Sequence, residues 1–322
     1  MTEPLRLEDH LDDDHRAVLA ALPTDLLDLS DIEVARARLA ALFDMLPTPE
    51  LPATVEISEV EADGIDGGPA VRLKLYQPSG RDPSAPALLW IHGGGMVLGN
   101  ADQDDANCAT MANDLGAVVV SVDYRLAPEH PYPAPLDDCY AGLLWLAGAT
   151  QDLGVDPNRI GIGGASAGGG LAAGLALRAR DSGGPAICYQ HLIFPMLDDR
   201  NETPSSKVIT DSRVWNREAN RSGWDAYLGP LSGDEVPIYA APGRASNLSG
   251  LPRAYLPVGS LDLFLDEDLS YGQRLLQAGV PTEIRVFPGA FHGSSTFVPG
   301  SEISLRWARD AGDALRRGLG VS

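Results

Sequence analysis

Short apolar runs alternating with helical stretches limit the folds open to this chain. After Pro86 comes Ala87-Leu88-Leu89-Trp90-Ile91, and later runs span Ala117 to Val122, Ile160 to Ile162, Ile187 to Phe194, Ala254 to Val258 and Ile284 to Phe287. Strands that are apolar on both faces belong inside a parallel sheet covered by helices. Helical patterns fall near Asp104 to Leu115, Pro135 to Leu146, Gly168 to Ala179, Asp266 to Ala278 and Ser304 to Leu315. The alternation therefore predicts an α/β core. Ahead of it, Val55, Ile57 and Val60, then Val71, Leu73 and Leu75, alternate with polar residues and predict an antiparallel hairpin.

Two stretches stand outside this alternation. Residues 1 to about 50 have a helical, amphipathic pattern that Pro47, Pro49 and Pro52 bring to an end, and residues 201–245 form a polar insertion around Trp215, Trp224 and Tyr227. An insertion of that length in an α/β core commonly serves as a lid. The expected division is a discontinuous cap at 1–50 and 201–245 and a catalytic core at 51–200 and 246–322. At 322 residues and 44% hydrophobic content the chain can bury a core of that size.

Charge and cysteine usage narrow the partners. A formal charge of -21 opposes nucleic acid and anionic membranes. Cys108, Cys139 and Cys188 are odd in number and widely spaced, which suggests neither a disulfide framework nor a zinc site. No apolar run reaches the length of a membrane span, and Met1-Thr2-Glu3-Pro4 does not open a secretory signal. The expectation is a cytoplasmic protein.

The chemistry is carried by Gly164-Ala165-Ser166-Ala167-Gly168. With 35 glycines and 21 serines, a G-x-S-x-G pentapeptide arises by chance in about one such chain in four. Its setting is what counts. It follows the strand Arg159-Ile160-Gly161-Ile162-Gly163 and opens a helix of small residues, as a nucleophile elbow requires. The alternative, a phosphate-binding loop, lacks the Gly-Lys-Ser/Thr that would follow. His92-Gly93-Gly94-Gly95 directly follows another strand, and its N–H groups, with that of Ala167, are the expected oxyanion hole. His92 itself is expected to brace the loop.

Among six histidines, His292 lies just past the last core strand and is the expected general base. His10 and His15 flank Leu11-Asp12-Asp13-Asp14, where a solvated acidic face is expected; His130 sits in a proline-rich turn and His191 inside a strand. Asp262, past the strand that ends at Val258, is the expected acid, with Asp266, Glu267 and Asp268 as alternatives better suited to the cap and first turn of the next helix. The order Ser166, Asp262, His292 is that of α/β-hydrolases. Each follows a parallel strand, which places all three on the carboxyl edge of one sheet.

With these residues go Asp123-Tyr124-Arg125-Leu126-Ala127-Pro128-Glu129-His130-Pro131-Tyr132-Pro133-Ala134, Pro195-Met196-Leu197-Asp198-Asp199, and Asp266-Glu267 four residues beyond Asp262. From about residue 52 to 318 the chain resembles the bacterial hormone-sensitive-lipase family (family IV) of carboxylesterases. The resemblance implies an α/β-hydrolase core with a mostly parallel eight-stranded sheet, a helical cap, no cofactor or metal, and hydrolysis of short- to medium-chain acyl esters. It also implies a possible homodimer through edge strands, and a bracing role for Arg125 and Glu129 beneath the site. Position 165, commonly acidic in that family, is Ala165, and the usual proline after the acid is Leu263. Amide, peptide or lactone cleavage on the same residues, and a non-catalytic receptor on the same fold, remain the alternatives. Trp215, Trp224 and Tyr227 are the candidate pocket residues.

Overall fold

In the computed structural model, residues 5–45 and 50–321 are described. Pro47 and Pro49 lie outside them, as do Met1 to Pro4. The strands are β1 (Val55–Ala62), β2 (Val71–Pro78), β3 (Ala85–Ile91), β4 (Val118–Val122), β5 (Val155–Ala165), β6 (Tyr189–Ile193), β7 (Arg253–Leu261) and β8 (Thr282–Phe291). They form one sheet in the order β1-β2-β4-β3-β5-β6-β7-β8, parallel from β4 through β8 and antiparallel at β1/β2 and β2/β4. Every residue of β3, β4 and β6 is buried, which is why these runs carry no polar alternation. At the β1 edge Glu56, Glu59 and Glu61 alternate with apolar residues, a charge pattern that discourages further strand pairing.

Helices α1 (Asp13–Ala21) and α2 (Ile32–Met45) lie N-terminal to the sheet, so the described part of the first 50 residues holds two α-helices with a turn at Pro23 between them. Next come α3 (Asp105–Leu115), α4 (Ala134–Gly148), α5 (Thr150–Leu153) and α6 (Ala167–Ser182). The insertion supplies α7 (Pro204–Val208) and α8 (Arg217–Leu228), followed by α9 (Leu265–Gln277), α10 (Ser294–Phe297) and α11 (Glu302–Leu319). Among the described residues no helix is long and apolar enough to cross a membrane.

Two expectations need correction. His15 is fully buried, not on a solvated face: its Nδ1 bonds the Asp12 carboxylate at 2.7 Å, and its ring meets Phe291 edge-on at 6.0 Å. Burial is possible because Asp12, which caps α1 through the His15 N–H, also satisfies one ring nitrogen. The carboxylates after Asp262 do occupy the first turn of α9, but none caps it: the N-cap is Phe264. Asp266 accepts from Ser205 N–H, Glu267 accepts from Leu197 and Asp198 N–H, and Asp268 is buried with neither oxygen partnered among the described residues.

Arg125 and Glu129 brace separate contacts. Arg125 makes a forked pair with buried Asp138 of α4, while Glu129 receives Arg36 of α2 at 2.6 and 2.9 Å. Arg36 also donates to the carbonyls of Val97 and Ala127 at 2.9 and 3.0 Å, tying α2 to both loops.

His191 of β6 is packed against the Tyr255 ring at 5.1 Å, and desolvation pushes its pKa down to about 3. The unfolded chain takes up this proton near pH 6.5 while the folded chain does not, so stability present above that pH is lost as pH falls from 6.5 towards 3. Between pH 6.5 and 4.5 the loss amounts to about 2 kcal/mol. His191→Phe, which keeps a stacking ring and cannot titrate, should lose about that much less stability than the wild type over the interval, measured by urea unfolding.

Candidate active site

Ser166 joins the end of β5 to the start of α6 with φ 56° and ψ −120°, a conformation side chains rarely adopt. The surrounding backbone enforces it. Its N–H donates to Ile193 O and its carbonyl accepts from Met196 N–H, both at 2.9 Å. Gly168 is required by close approach, because a Cβ there would stand 2.0 Å from Ile91 O. The tight turn lifts the Ser166 hydroxyl clear of the sheet at the mouth of the α6 N-terminus, whose first N–H groups lack helical partners.

His292 lies just beyond the C-terminal end of β8 and bridges the other two residues. Its Nε2 is 2.9 Å from Ser166 Oγ and its Nδ1 is 2.9 Å from Asp262 Oδ2. An ionised Asp262 can only accept, so Nδ1 carries the proton and Nε2 is left to accept from the hydroxyl. Asp262 is 1% exposed, and its other oxygen accepts the Phe264 N–H at 3.0 Å, which fixes the carboxylate plane. The His292 ring is confined by Phe194 at 4.6 Å, Phe264 at 5.1 Å and Trp215 at 6.4 Å between centroids. Neither phenylalanine was singled out in sequence. Phe194 sits at the end of a strand, and only its φ of 33° marks it as unusual.

The glycine loop runs alongside. A Cβ on Gly93 would lie 3.5 Å from that of Ser166, so the loop backbone reaches the nucleophile directly. Gly94 and Gly95 have φ of 116° and 62°, and the Leu98 N–H closes the turn on Gly94 O at 2.8 Å. His92 holds the loop from beneath: its Nδ1 donates to Gly93 O at 2.8 Å, its ring stacks on Tyr124 at 4.1 Å, and the Tyr124 hydroxyl donates to His92 O at 3.1 Å. Burial pushes the His92 pKa down, which keeps the ring neutral.

Trp215 occupies the space a side chain at Gly95 would need, with its ring 2.2 Å from the position of that missing Cβ. Its indole N–H donates to Asn220 of α8 at 3.1 Å. Trp224 and Tyr227 lie further along α8 with centroids 6.1 Å apart, and both are buried. Trp215 is thus the candidate pocket residue that stands directly against the glycine loop and His292.

The chain as a whole resembles known proteins. A family model described as α/β hydrolase fold matches residues 88–296. Esterase LipI of Mycobacterium tuberculosis is 38% identical over 94% of this chain and 91% of its own length. Carboxylesterase NlhH of the same organism is 36% identical, with 92% of each chain covered. Among solved structures, a bacterial heroin esterase superposes with a TM-score of 0.93 at 44% identity, over 98% of this chain and 99% of the other. With its eight-stranded sheet and this likeness along nearly its whole length, the chain belongs to the bacterial hormone-sensitive-lipase (family IV) carboxylesterases of the α/β-hydrolase fold.

Proposed function

We propose that this carboxylic ester hydrolase acts on short- to medium-chain acyl esters through Ser166, His292 and Asp262. The proposal rests on the His292 imidazole, which stands 2.9 Å from both the Ser166 hydroxyl and the Asp262 carboxylate. In the first half-reaction Nε2 takes the hydroxyl proton as Oγ bonds to the ester carbonyl carbon, and the carbonyl electrons move onto oxygen. In this reading the N–H groups of Gly93, Gly94, Gly95 and Ala167 hold that oxyanion. Collapse breaks the carbon–alkoxy bond, and His292 passes its proton to the departing alcohol. Water, deprotonated by the same nitrogen, then attacks the acyl-enzyme; carboxylic acid leaves and Ser166 recovers its proton. Asp262 stabilises the imidazolium of each half-reaction and stays ionised. Each oxyanion donor is worth about 3 kcal/mol in the transition state, or a hundredfold in rate.

In the same proposal, residues 1–50 and 201–245 form a cap over the core at 51–200 and 246–322, and Trp215 walls the acyl pocket with Trp224 and Tyr227 packed behind it. The closeness of Trp215 to Gly95 supports this, as does Gly223 of α8, where an added Cβ would stand 3.1 Å from Gly95 O. Three free thiols suit a reducing, cytoplasmic compartment. The outer position of β8 and the half-exposed Val286 on it support a homodimer formed by pairing β8 strands.

Four outcomes are expected. With p-nitrophenyl acetate, butyrate and octanoate the wild type should turn over the esters far faster than matched anilides, and comparable anilide rates would overturn the ester assignment. Ser166→Ala should lower kcat by at least about 10⁴-fold and abolish fluorophosphonate labelling. Trp215→Ala, by removing the wall at Gly95, should shift the best substrate towards longer acyl chains; an unchanged chain-length profile excludes it from the pocket. Light scattering should give twice the chain mass for the wild type and the single mass for Val286→Pro.

A further inference from the structure

A cavity of about 490 Å³ is walled by Arg200, Arg244 and Arg274, and none of its lining residues belongs to the Ser166, His292 and Asp262 cluster. Three guanidiniums around one space are notable in a chain with 24 basic and 45 acidic residues. Two are balanced locally. Arg200 grips Asp198 at 2.7 and 2.6 Å and Arg244 grips Asp199 at 2.6 and 2.8 Å, each through Nε and Nη2, which leaves each Nη1 without a partner among the described residues. Arg274 has no carboxylate partner among the described residues. Its two terminal nitrogens donate to the carbonyls of Ala245 and Gly243 at 2.7 and 2.9 Å, so its charge is oriented and uncompensated.

Asp198 also lines the cavity, but both of its oxygens are taken up by Arg200, and the rest of the wall suits an anion. Glu267 is 4% exposed and burial pushes its carboxyl pKa well up, which disfavours a negative charge on this wall. Ser270 lies between Glu267 and Arg274 on one face of α9, and with Ser246 it adds hydroxyl donors to the lining. We propose that this cavity is a second binding site for a small oxyanion, a carboxylate or a phosphate, held by Arg274 and the free Nη1 groups of Arg200 and Arg244 with help from the serine hydroxyls. Planar guanidinium forks match such oxygens in geometry as well as in charge.

The cavity is joined to the candidate active site by a short path. Glu267 Oε1 accepts the N–H groups of Leu197 and Asp198 at 2.8 and 3.1 Å, and Met196, one residue earlier, donates its N–H to Ser166 O at 2.9 Å. An anion on the α9 face is therefore one hydrogen-bonded loop away from the elbow without entering it. Binding stands independently of the catalytic proposal and persists when Ser166 is replaced.

Titration calorimetry at constant ionic strength in chloride tests the site with inorganic phosphate, acetate and butyrate. Saturable binding at one site per chain is expected for the wild type and for Ser166→Ala alike. Binding should weaken at least tenfold in Arg274→Gln and in Ser270→Glu; the latter leaves every guanidinium contact in place and sets a carboxylate in the lining. Tighter phosphate binding assigns the site to phosphates, and tighter butyrate binding assigns it to acids of the kind ester hydrolysis releases. No saturable heat with any of the three anions overturns the proposal. So does unchanged affinity in a Ser270→Glu variant whose circular dichroism matches the wild type, or loss of binding in Ser166→Ala.

Discussion

The close approach of β3 to the start of α6 governs the rest of the site. Gly168 stands so near Ile91 O that no side chain fits between them, and that contact pins the helix N-terminus against the strand that launches the glycine loop. With the helix held there, Ser166 has no room for an ordinary turn and takes a positive φ. Two backbone bonds, to Ile193 O and from Met196 N–H, hold it in place. Strain of this kind, on the order of 1–3 kcal/mol, persists only where surrounding structure over-determines it. Here β3, β5, β6 and α6 all contribute, so nucleophile and loop are placed by one set of contacts.

The partners of Ser166 are held by a different means. Asp262 and His292 arrive on separate strands, and each is oriented by hydrogen bonds and rings instead of backbone strain. Phe264 fixes the carboxylate through its N–H and confines the imidazole through its ring, so one residue serves both groups. Around this dry cluster the neutral side chains His92 and His191 stack on Tyr124 and Tyr255. Burial disfavours the charged form of both imidazoles, in His92 against the pull of Asp104 and Asp123, which suits a sheet whose central strands are closed to water.

Much of this was legible in sequence. Continuous apolar runs identify parallel strands by local composition alone, and Ser166, Asp262 and His292 each follow one, so their order already places them on a shared edge. Side-chain fates that depend on distant partners were not legible. The burial of His15 requires Phe291, and apart from Glu33 the partners of Arg36 lie 61 to 93 residues away. Glu267 had the appearance of a first-turn helix residue, and it is one, but its hydrogen bonds hold a loop 70 residues earlier. Arg125 and Glu129 stand four residues apart in one motif and serve unrelated contacts. Spacing along a chain reveals which elements form and says little about which long polar side chains meet across them.

Arg36 carries one more consequence. It belongs to the N-terminal helices, yet it holds the carbonyls of Val97 and Ala127, and Val97 lies two residues beyond Gly95. The N-terminal helical segment is thereby fastened to the loop that reaches the nucleophile. Exchange of the first 45 residues between relatives would therefore transmit mechanical error along with any new selectivity, unless an arginine at this position and an acid at Glu129 travel together. The pair acts as a compatibility lock: it restricts which N-terminal segments this core can accept.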